Sequence, residues 1–511
     1  SDRYWQLTVY DPQARRPAAF GSGILYQIFP DRFCNSGEKK QDVPADRILR
    51  SDWGNLPVYL PDKNGEITNS DYFGGDLKGI TQHLDYLQAL GVTCLYLNPI
   101  FEAHSNHRYN TANYLRVDPL LGTEEDFAEL CARAKERGIA VILDGVFSHT
   151  GSDSVYFNRN GRYGEHTGAY RDPNSPYREW YSFRRYPDDY ESWWGFITLP
   201  NVRENNPQYV DFICNPKTGV LAHWLRLGAS GFRLDVADEL PDSFIEKVRA
   251  AVKRVGPEKF LLGEVWEDAT TKFGFDKRRT YLLGKGLDSV MNYPFKNSVL
   301  DFVKGKPAQQ AANEILSICE HYPAPAINTA LNFLSTHDTE RALTVIADEP
   351  ANGRGREWQS GRCVTGDAYE EGLLRLRMAY AIIYTLPGVP CLYYGDEIAM
   401  QGYRDPFNRG YYCWDSHEKR LRPVLAQLAQ LRHSCEAFRT GELRVLRAED
   451  GILHYQRIGK TETAEIIVNR SEHIIVEPLA SGKHTEVNPM GFTIVVEENG
   501  HNPNHSYYDI Q

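Results

Sequence analysis

Three carboxylates, Asp235, Glu264 and Asp338, stand at the ends of three different apolar runs, GFRLDVAD, FLLGEVW and TALNFLSTHD. Acids that follow buried strands are hard to explain by packing, so chemistry is the first reading. Two such carboxyls can cleave a glycosidic bond with retention of configuration. One attacks the sugar carbon; the other protonates the leaving oxygen and then activates water, at a separation of about 5–5.5 Å. Arg233 precedes Asp235 by two residues, so both side chains leave the strand on one face, and a guanidinium there is expected to keep Asp235 ionised and aimed. His337, directly before Asp338, offers an imidazole to a sugar hydroxyl. Asp144 and Asp396 close two further runs, AVILDGVF and VPCLYYGDE.

The elements that must position these groups recur along the chain. Eight apolar runs rich in β-branched and aromatic residues lie at 24–30, 93–100, 140–147, 231–238, 260–266, 288–295, 329–338 and 389–397. Near-continuous apolar strands are the mark of a parallel sheet covered on both faces. Helical patterns lie between several of them: Asp76 to Gly91 puts Leu77, Ile80, Leu84 and Leu87 on one face, and Thr123 to Gly138 opens with a Thr cap and an acidic first turn. The fold class expected is therefore α/β, a closed (β/α)8 barrel with its functional groups where the strands end. The stretch after the third strand is too long for an ordinary connection of about 2–6 residues and reads as an inserted subdomain. Residues 151–200 hold 13 Phe, Tyr or Trp, enough to line a wall over the barrel mouth, although packing of the insertion would use such rings as well. From about 438, short alternating stretches such as ILHYQRI, AEIIVN and FTIVVEE predict a C-terminal antiparallel β-sandwich. The expected division is a barrel of 1–147 and 206–436, an inserted subdomain of 148–205 and a sandwich of 437–511.

Composition narrows the partners. With 41% hydrophobic and 24% charged residues the 511-residue chain is ordinary globular protein, and a net charge of −11 argues against nucleic acid or an anionic membrane as partner. The most apolar stretch, Met378 to Tyr394, contains Pro387, Gly388 and Pro390, which makes it a helix, a break and a strand rather than a membrane span. Nine scattered Cys with no CxxC pair predict neither a disulfide framework nor a zinc site. No GxGxxG or GxxxxGK[ST] loop follows a strand, so no nucleotide or other organic cofactor is expected. The chain opens on SDRYWQ, which has no leader pattern.

The blocks GGDLKGI (74–80), DGVFSHT (144–150), GFRLDVADE (231–239), LLGEVWED (261–268), FLSTHDTER (333–341) and GVPCLYYGDE (388–397) resemble, in order and placement, the alpha-amylase family of glycoside hydrolases. The resemblance implies retaining cleavage of α-glucosidic bonds, with Asp235 as nucleophile, Glu264 as general acid/base and Asp338 gripping the sugar hydroxyls. It also implies contacts to the bound glucose from Asp144, His149, Arg233 and His337, from His107 and Tyr109 in FEAHSNHRYNTANY, and from Asp405 and Arg409 in DPFNRGYYCWD.

Within the family, VADE and ESWWGFITLPNVRENNP are similar to segments of the neopullulanase, cyclomaltodextrinase and maltogenic amylase subgroup, with Trp194 and Glu239 as the residues that would select short or cyclic glucans. The expected substrates are cyclodextrins, pullulan, maltodextrins or starch, cut at α-1,4 bonds with α-1,6 bonds as a further expectation. Subgroup relatives suggest cytoplasmic use of imported dextrins, by a monomer or a homodimer. Dimerisation through a leading β-domain is not expected, because the first barrel strand already starts at Ile24. In some such proteins a loop after the first strand acts with the GGD segment on calcium; here Asn35, Gly74 and Asp76 are the candidates for Ca²⁺, although Ser148 replaces an Asn usual at another calcium position. The alternatives are a starch-cleaving α-amylase or a sucrose- or trehalose-type transferase or isomerase of the same family. A non-catalytic sugar-binding barrel stands last, since all three acids are present.

Overall fold

The computed structural model describes residues 6–12, 17–40, 43–499 and 505–508. Eight parallel strands form the central sheet: β1 Leu25–Ile28, β2 Cys94–Leu97, β3 Ala140–Gly145, β4 Gly231–Leu234, β5 Phe260–Gly263, β6 Ser289–Val290, β7 Leu331–Asn332 and β8 Val389–Tyr393. They pair in the order β6-β5-β4-β3-β2-β1-β8-β7, and a parallel bridge between Met291 and Leu331 joins the two ends. The expected barrel is therefore closed.

Alternation along the strands decides what lies inside. Leu25, Cys94, Tyr96, Ile142, Phe260, Leu262, Val389 and Cys391 fill the interior, while Tyr26, Ile28, Leu95, Leu97, Val141 and Leu143 pack outward against the helices. Phe20 plugs the lower end by stacking on Phe260 at 4.4 Å. Further up the inward faces the residues turn polar: Gln27 on β1, Asp144 on β3 and Arg233 on β4, the last two being register partners. On these three strands the inward face thus changes from core to site within two residues.

The helices depart from the periodicity in instructive ways. The pattern from Asp76 to Gly91 forms two helices, Leu77–Gln82 and Leu84–Ala89, broken at His83, whose ring bonds Gly79 O at 2.9 Å and stacks on Trp414 at 3.7 Å. A tertiary ring contact overrides the local preference. NYPF, expected within the sixth strand, instead opens the helix Tyr293–Lys304, because Asn292 caps it at Phe295 N (3.2 Å) and Pro294 fits the first turn. The helix Glu124–Glu136 carries the full capping box of Thr123 and Asp126. The connection 264–288 between β5 and β6 holds no helix among the described residues, so the repeat of strand and helix is incomplete there. Its Gly-broken sequence has no helical period, and Arg279 pins it by donating to Asp242 Oδ1 (2.9 Å) and Asp238 O (2.5 Å).

In the insertion, most rings are packing. Tyr156 stacks on Trp180 at 5.3 Å, and Phe157 meets Tyr181 and Tyr190 at 4.8 and 4.7 Å. Its tip stays the most open, with Trp194 77% and Phe196 57% exposed. The C-terminal part is a five-stranded antiparallel sheet that includes Glu442–Glu449, Ile452–Ile458, Glu462–Asn469 and Gly491–Glu498 and ends with His505–Tyr508. A hairpin of Ile475–Pro478 and His484–Val487 covers its outer face through Ile467, Leu479, Val487 and Val495.

Candidate active site

Arg233 is fully buried and organises the barrel mouth. Its Nη1 donates to Asp144 Oδ1 (2.7 Å) and Asp235 Oδ1 (2.9 Å), and its Nη2 pairs with Glu264 Oε2 at 2.8 Å. The spacing of two between Arg233 and Asp235 thus does what the strand period requires. Glu264 is held further by the N–H of Val236, which donates to Oε2 (2.8 Å), and by Trp266 Nε1, which donates to Oε1 (2.9 Å). Val236 adopts φ +41°, a left-handed conformation that a β-branched residue rarely takes. That backbone turn, directly after Asp235, aims the amide at Glu264.

A second network crosses the mouth. Gln27 Nε2 donates to His337 Nδ1 (2.9 Å), which leaves the proton on His337 Nε2, 2.6 Å from Tyr109 Oη and 3.1 Å from Asp338 Oδ2. The Tyr109 hydroxyl donates to Asp144 Oδ2 (2.7 Å) and accepts from Asn98 Nδ2 (3.0 Å), closing the ring back to Arg233. Tyr109 and His337 lie nearly parallel, 5.3 Å apart. Arg409 reaches Asp338 at 3.6 Å and pairs with Asp405 at 3.0 Å, while its Nε donates to His337 O (3.0 Å).

Electrostatics follow from crowding. Burial pushes the carboxyls of Asp144 and Asp235 above the usual range, with neighbouring carboxylates adding to the effect and Arg233 opposing it. The expectation that Arg233 keeps Asp235 ionised and aimed is met in geometry, while burial outweighs the guanidinium in the position of the carboxyl's pKa. Asp338 is pushed up to about 7 by burial and by Glu264; its side chain keeps 31% of its surface, at the floor of a mouth walled by protein. His107 and His149 are lowered to about 3 and about 4 by burial, so both are neutral hydrogen-bonding rings rather than cations.

Not every candidate faces the mouth. Asp144 is 1% exposed and spends both oxygens on Arg233, Tyr109 and Tyr96, so its place is behind the reacting groups. His149 donates from Nε2 to Tyr109 O (3.0 Å) and bonds Ser148 Oγ through Nδ1 (2.9 Å), fixing the loop that carries Tyr109. Asp396 lies away from the cluster, buried against Arg341 (3.0 Å) and Tyr380 (2.6 Å). Trp194 and Trp193 both donate their indole N–H to Glu239, at 2.9 and 2.8 Å, and so bring the insertion tip to the loop after Asp235. Around Asp76, Asn35 and Gly74 the donor set does not suit calcium, because the Asp76 carboxylate already accepts from Ser36 and Gly79 and pairs with Lys40.

Sequence reasoning missed Gln27, Tyr96, Asn98 and Trp266. The strand period carried the signal for three of them: Gln27 and Tyr96 are register partners on inward faces, and Trp266 stands two residues after Glu264. Trp266 stacks on Tyr293 at 4.1 Å and remains 44% exposed, as a ring beside a sugar would be.

Comparison with known proteins agrees with this geometry. Residues 27–440 match the family described as alpha amylase, catalytic domain. The amylopullulanase of Thermoanaerobacter thermohydrosulfuricus is 37% identical over 502 residues, covering 89% of this chain and 32% of that protein. The cyclomaltodextrinase of Geobacillus thermopakistaniensis (strain MAS1) is 33% identical over 472 residues, covering 89% of this chain and 70% of that protein. Among solved structures, the ligand-free cyclic alpha-maltosyl-(1→6)-maltose hydrolase from Arthrobacter globiformis aligns with a TM-score of 0.79 at 29% identity, over 95% of this chain and 100% of that one. The chain spans only 25% to 37% of the length of the three amylopullulanases it matches. A closed barrel with its acids gathered at one mouth, and a family match over most of its length, establish that the chain belongs to the alpha-amylase family of glycoside hydrolases.

Proposed function

We propose that this chain hydrolyses α-1,4-glucosidic bonds, and α-1,6 bonds at some junctions, in cyclic or short glucans through a covalent glycosyl-enzyme intermediate. The observation that carries the reading is Arg233 shared by Asp144, Asp235 and Glu264, with Asp338 across the mouth. In this reading Asp235 attacks the anomeric carbon, while Glu264 protonates the departing oxygen and later takes a proton from water. Asp338 and Arg409 grip hydroxyls of the same ring, His337 holds Asp338 and Tyr109 from behind, and Tyr109 offers its face to the sugar. Four carboxyls around so few cations cannot all ionise near neutrality, so the cluster retains the proton that the first step consumes.

Short and cyclic substrates are favoured by the clamp of Trp193 and Trp194 on Glu239, which fixes the rings of the insertion tip beside the loop after Asp235. The names of two relatives, cyclomaltodextrinase and cyclic alpha-maltosyl-(1→6)-maltose hydrolase, support the same choice. We assign the chemistry to a barrel of 1–147 and 206–436, with 148–205 and 437–511 as attached units. No helix among the described residues is long and apolar enough to cross a membrane. Nine free thiols, five of them buried, suit a reducing compartment, and we place the activity in the cytoplasm, where cell fractionation would find it.

Product analysis with β-cyclodextrin, pullulan and soluble starch in parallel tests the function. Rapid opening of cyclodextrin is expected, with slower attack on starch. Asp235→Asn should lower turnover by roughly 10³-fold or more while maltooligosaccharide binding persists. Starch attacked and cyclodextrin untouched would point to an α-amylase; an Asp235→Asn protein with full activity would overturn the assignment of the nucleophile.

A further inference from the structure

The corner between residues 34–40 and the turn Gly74–Asp76 contains the groups put forward for calcium, but their partners are those of an ammonium site. Asp76 Oδ1 accepts the N–H of Gly79 (2.7 Å) and of Ser36 (3.3 Å). Its Oδ2 accepts the Ser36 hydroxyl (2.7 Å) and pairs with Lys40 Nζ. Asn35 Oδ1 accepts the N–H of Gly37 (2.9 Å), while its amide nitrogen faces Gly74, where an added Cβ would lie 2.9 Å from it. A hard divalent cation needs about six to eight oxygens with free lone pairs. Here both carboxylate oxygens already face proton donors, and the positive charge comes from the chain. Lys40 and Asp76 side chains keep only 9% and 5% of their surface, so neither charge is compensated by bulk water.

We propose that Lys40 is a built-in cation: its ammonium takes the place that a divalent ion would hold, and it makes this corner independent of metal. The corner matters for the mouth because it is tightly coupled to it. Gly75 lies so close to Pro30 that a Cβ would come within 2.2 Å of the Pro30 carbonyl. Asp31 accepts from Phe73 N (3.0 Å), Gly74 N (3.1 Å) and Arg32 Nε (2.7 Å). Arg32 Nη1 then donates to the carbonyl of Arg409 (2.7 Å), the residue whose guanidinium faces Asp338. Lys40 is thus a positioning residue, acting through Asp76, Asp31 and Arg32.

Thermal unfolding followed by circular dichroism, in excess EDTA and in excess calcium, tests this without relying on catalysis. The wild type should melt at one temperature in both. Lys40→Met, which keeps the bulk and removes the charge, should melt roughly 5 °C lower in EDTA. Calcium should not restore that loss, because Ser36 and Gly79 still donate to the Asp76 oxygens and leave too few free lone pairs for a divalent ion. Lys40→Arg, which keeps a cation, should stay within about 2 °C of the wild type and remain indifferent to calcium, and it serves as the test should Lys40→Met not fold. The proposal is overturned if calcium raises the melting temperature of the wild type or of Lys40→Met, or if Lys40→Met melts like the wild type in EDTA.

Discussion

At Asp338 the cost of assembling the site can be measured in a single side chain. Its carboxyl is pushed up to about 7 by burial and by Glu264, whereas an unfolded aspartate titrates near about 3.9. Between these values the folded protein binds more protons than the unfolded chain, so stability falls as pH rises from about 4 to about 7. Asp338→Asn removes that penalty. Above about pH 7 the variant is expected to melt about 2 °C higher than the wild type, with the gain fading as pH falls towards about 4, while turnover drops by roughly 10²-fold or more. Melting curves across pH and a rate assay on maltotriose check both halves. A variant that loses activity without gaining stability would show that Asp338 is not strained in the free enzyme. The same crowding predicts a bell-shaped dependence of kcat/KM on pH, its alkaline limb marking loss of the shared proton of the cluster rather than titration of any one residue.

The turn Trp193–Gly195 is where the tip of the insertion meets the loop after Asp235. Trp194 sits at φ +50° with 77% of its surface open, yet its indole N–H is committed to Glu239. An exposed ring held in one orientation by a carboxylate is a prepared stacking surface, because its rotamer entropy is lost before the sugar arrives. Trp194→Ala should raise KM for cyclodextrin about tenfold and leave kcat within about threefold, since the ring binds ground and transition states alike. Glu239→Gln keeps a partner for only part of this arrangement and should give a smaller rise. Equal losses in kcat and KM would place Trp194 in the chemical step instead. The connection 264–288 packs on the loop that carries Glu239, through Arg279 on Asp238 O (2.5 Å) and Lys272 on Asp238 (3.2 Å), and its Trp266 leans on Tyr293 and bonds Glu264.

Across the whole molecule, buried arginines tie the parts together. Arg432, on the helix Leu421–Ser434, donates to the carbonyls of Gly21 (2.7 Å), Gly23 (3.2 Å), Phe438 (3.1 Å), Tyr384 (3.4 Å) and Gly388, which belong to the barrel floor, the end of the long helix Gly366–Thr385 and the start of the C-terminal part. Arg457 does the same from the C-terminal sheet, donating to Thr385 O (2.6 Å) and Gly441 O (3.0 Å). Removing such a hub strands several buried carbonyls at once. Arg432→Met is expected to cost about 3–5 kcal/mol in denaturant unfolding, with little change in KM for enzyme that remains folded. A cost below about 1 kcal/mol would mean that water replaces the guanidinium.

The chain pattern alone yields the barrel, because inward and outward residues alternate along short strands and a continuous apolar run can only be buried. It also yields the three acids and Arg233, since the strand period of two makes side-chain direction readable without a structure. The rings of 151–200 were ambiguous for a physical reason: packing and stacking demand the same flat, apolar surface, and only burial separates Tyr156 and Trp180 from Trp194. NYPF read as strand because its residues are β-prone, and the Asn292 cap that turns it into a helix is decided by backbone geometry. Most partners of Asp144, His149 and Asp76 come from 35 to 89 residues away, among them a lysine in a loop of no regular period. Such long-range contacts leave no local pattern in a single chain. They emerge when the closed barrel brings its loops to one mouth, and that closure decides which polar side chains face a substrate and which only hold others in place.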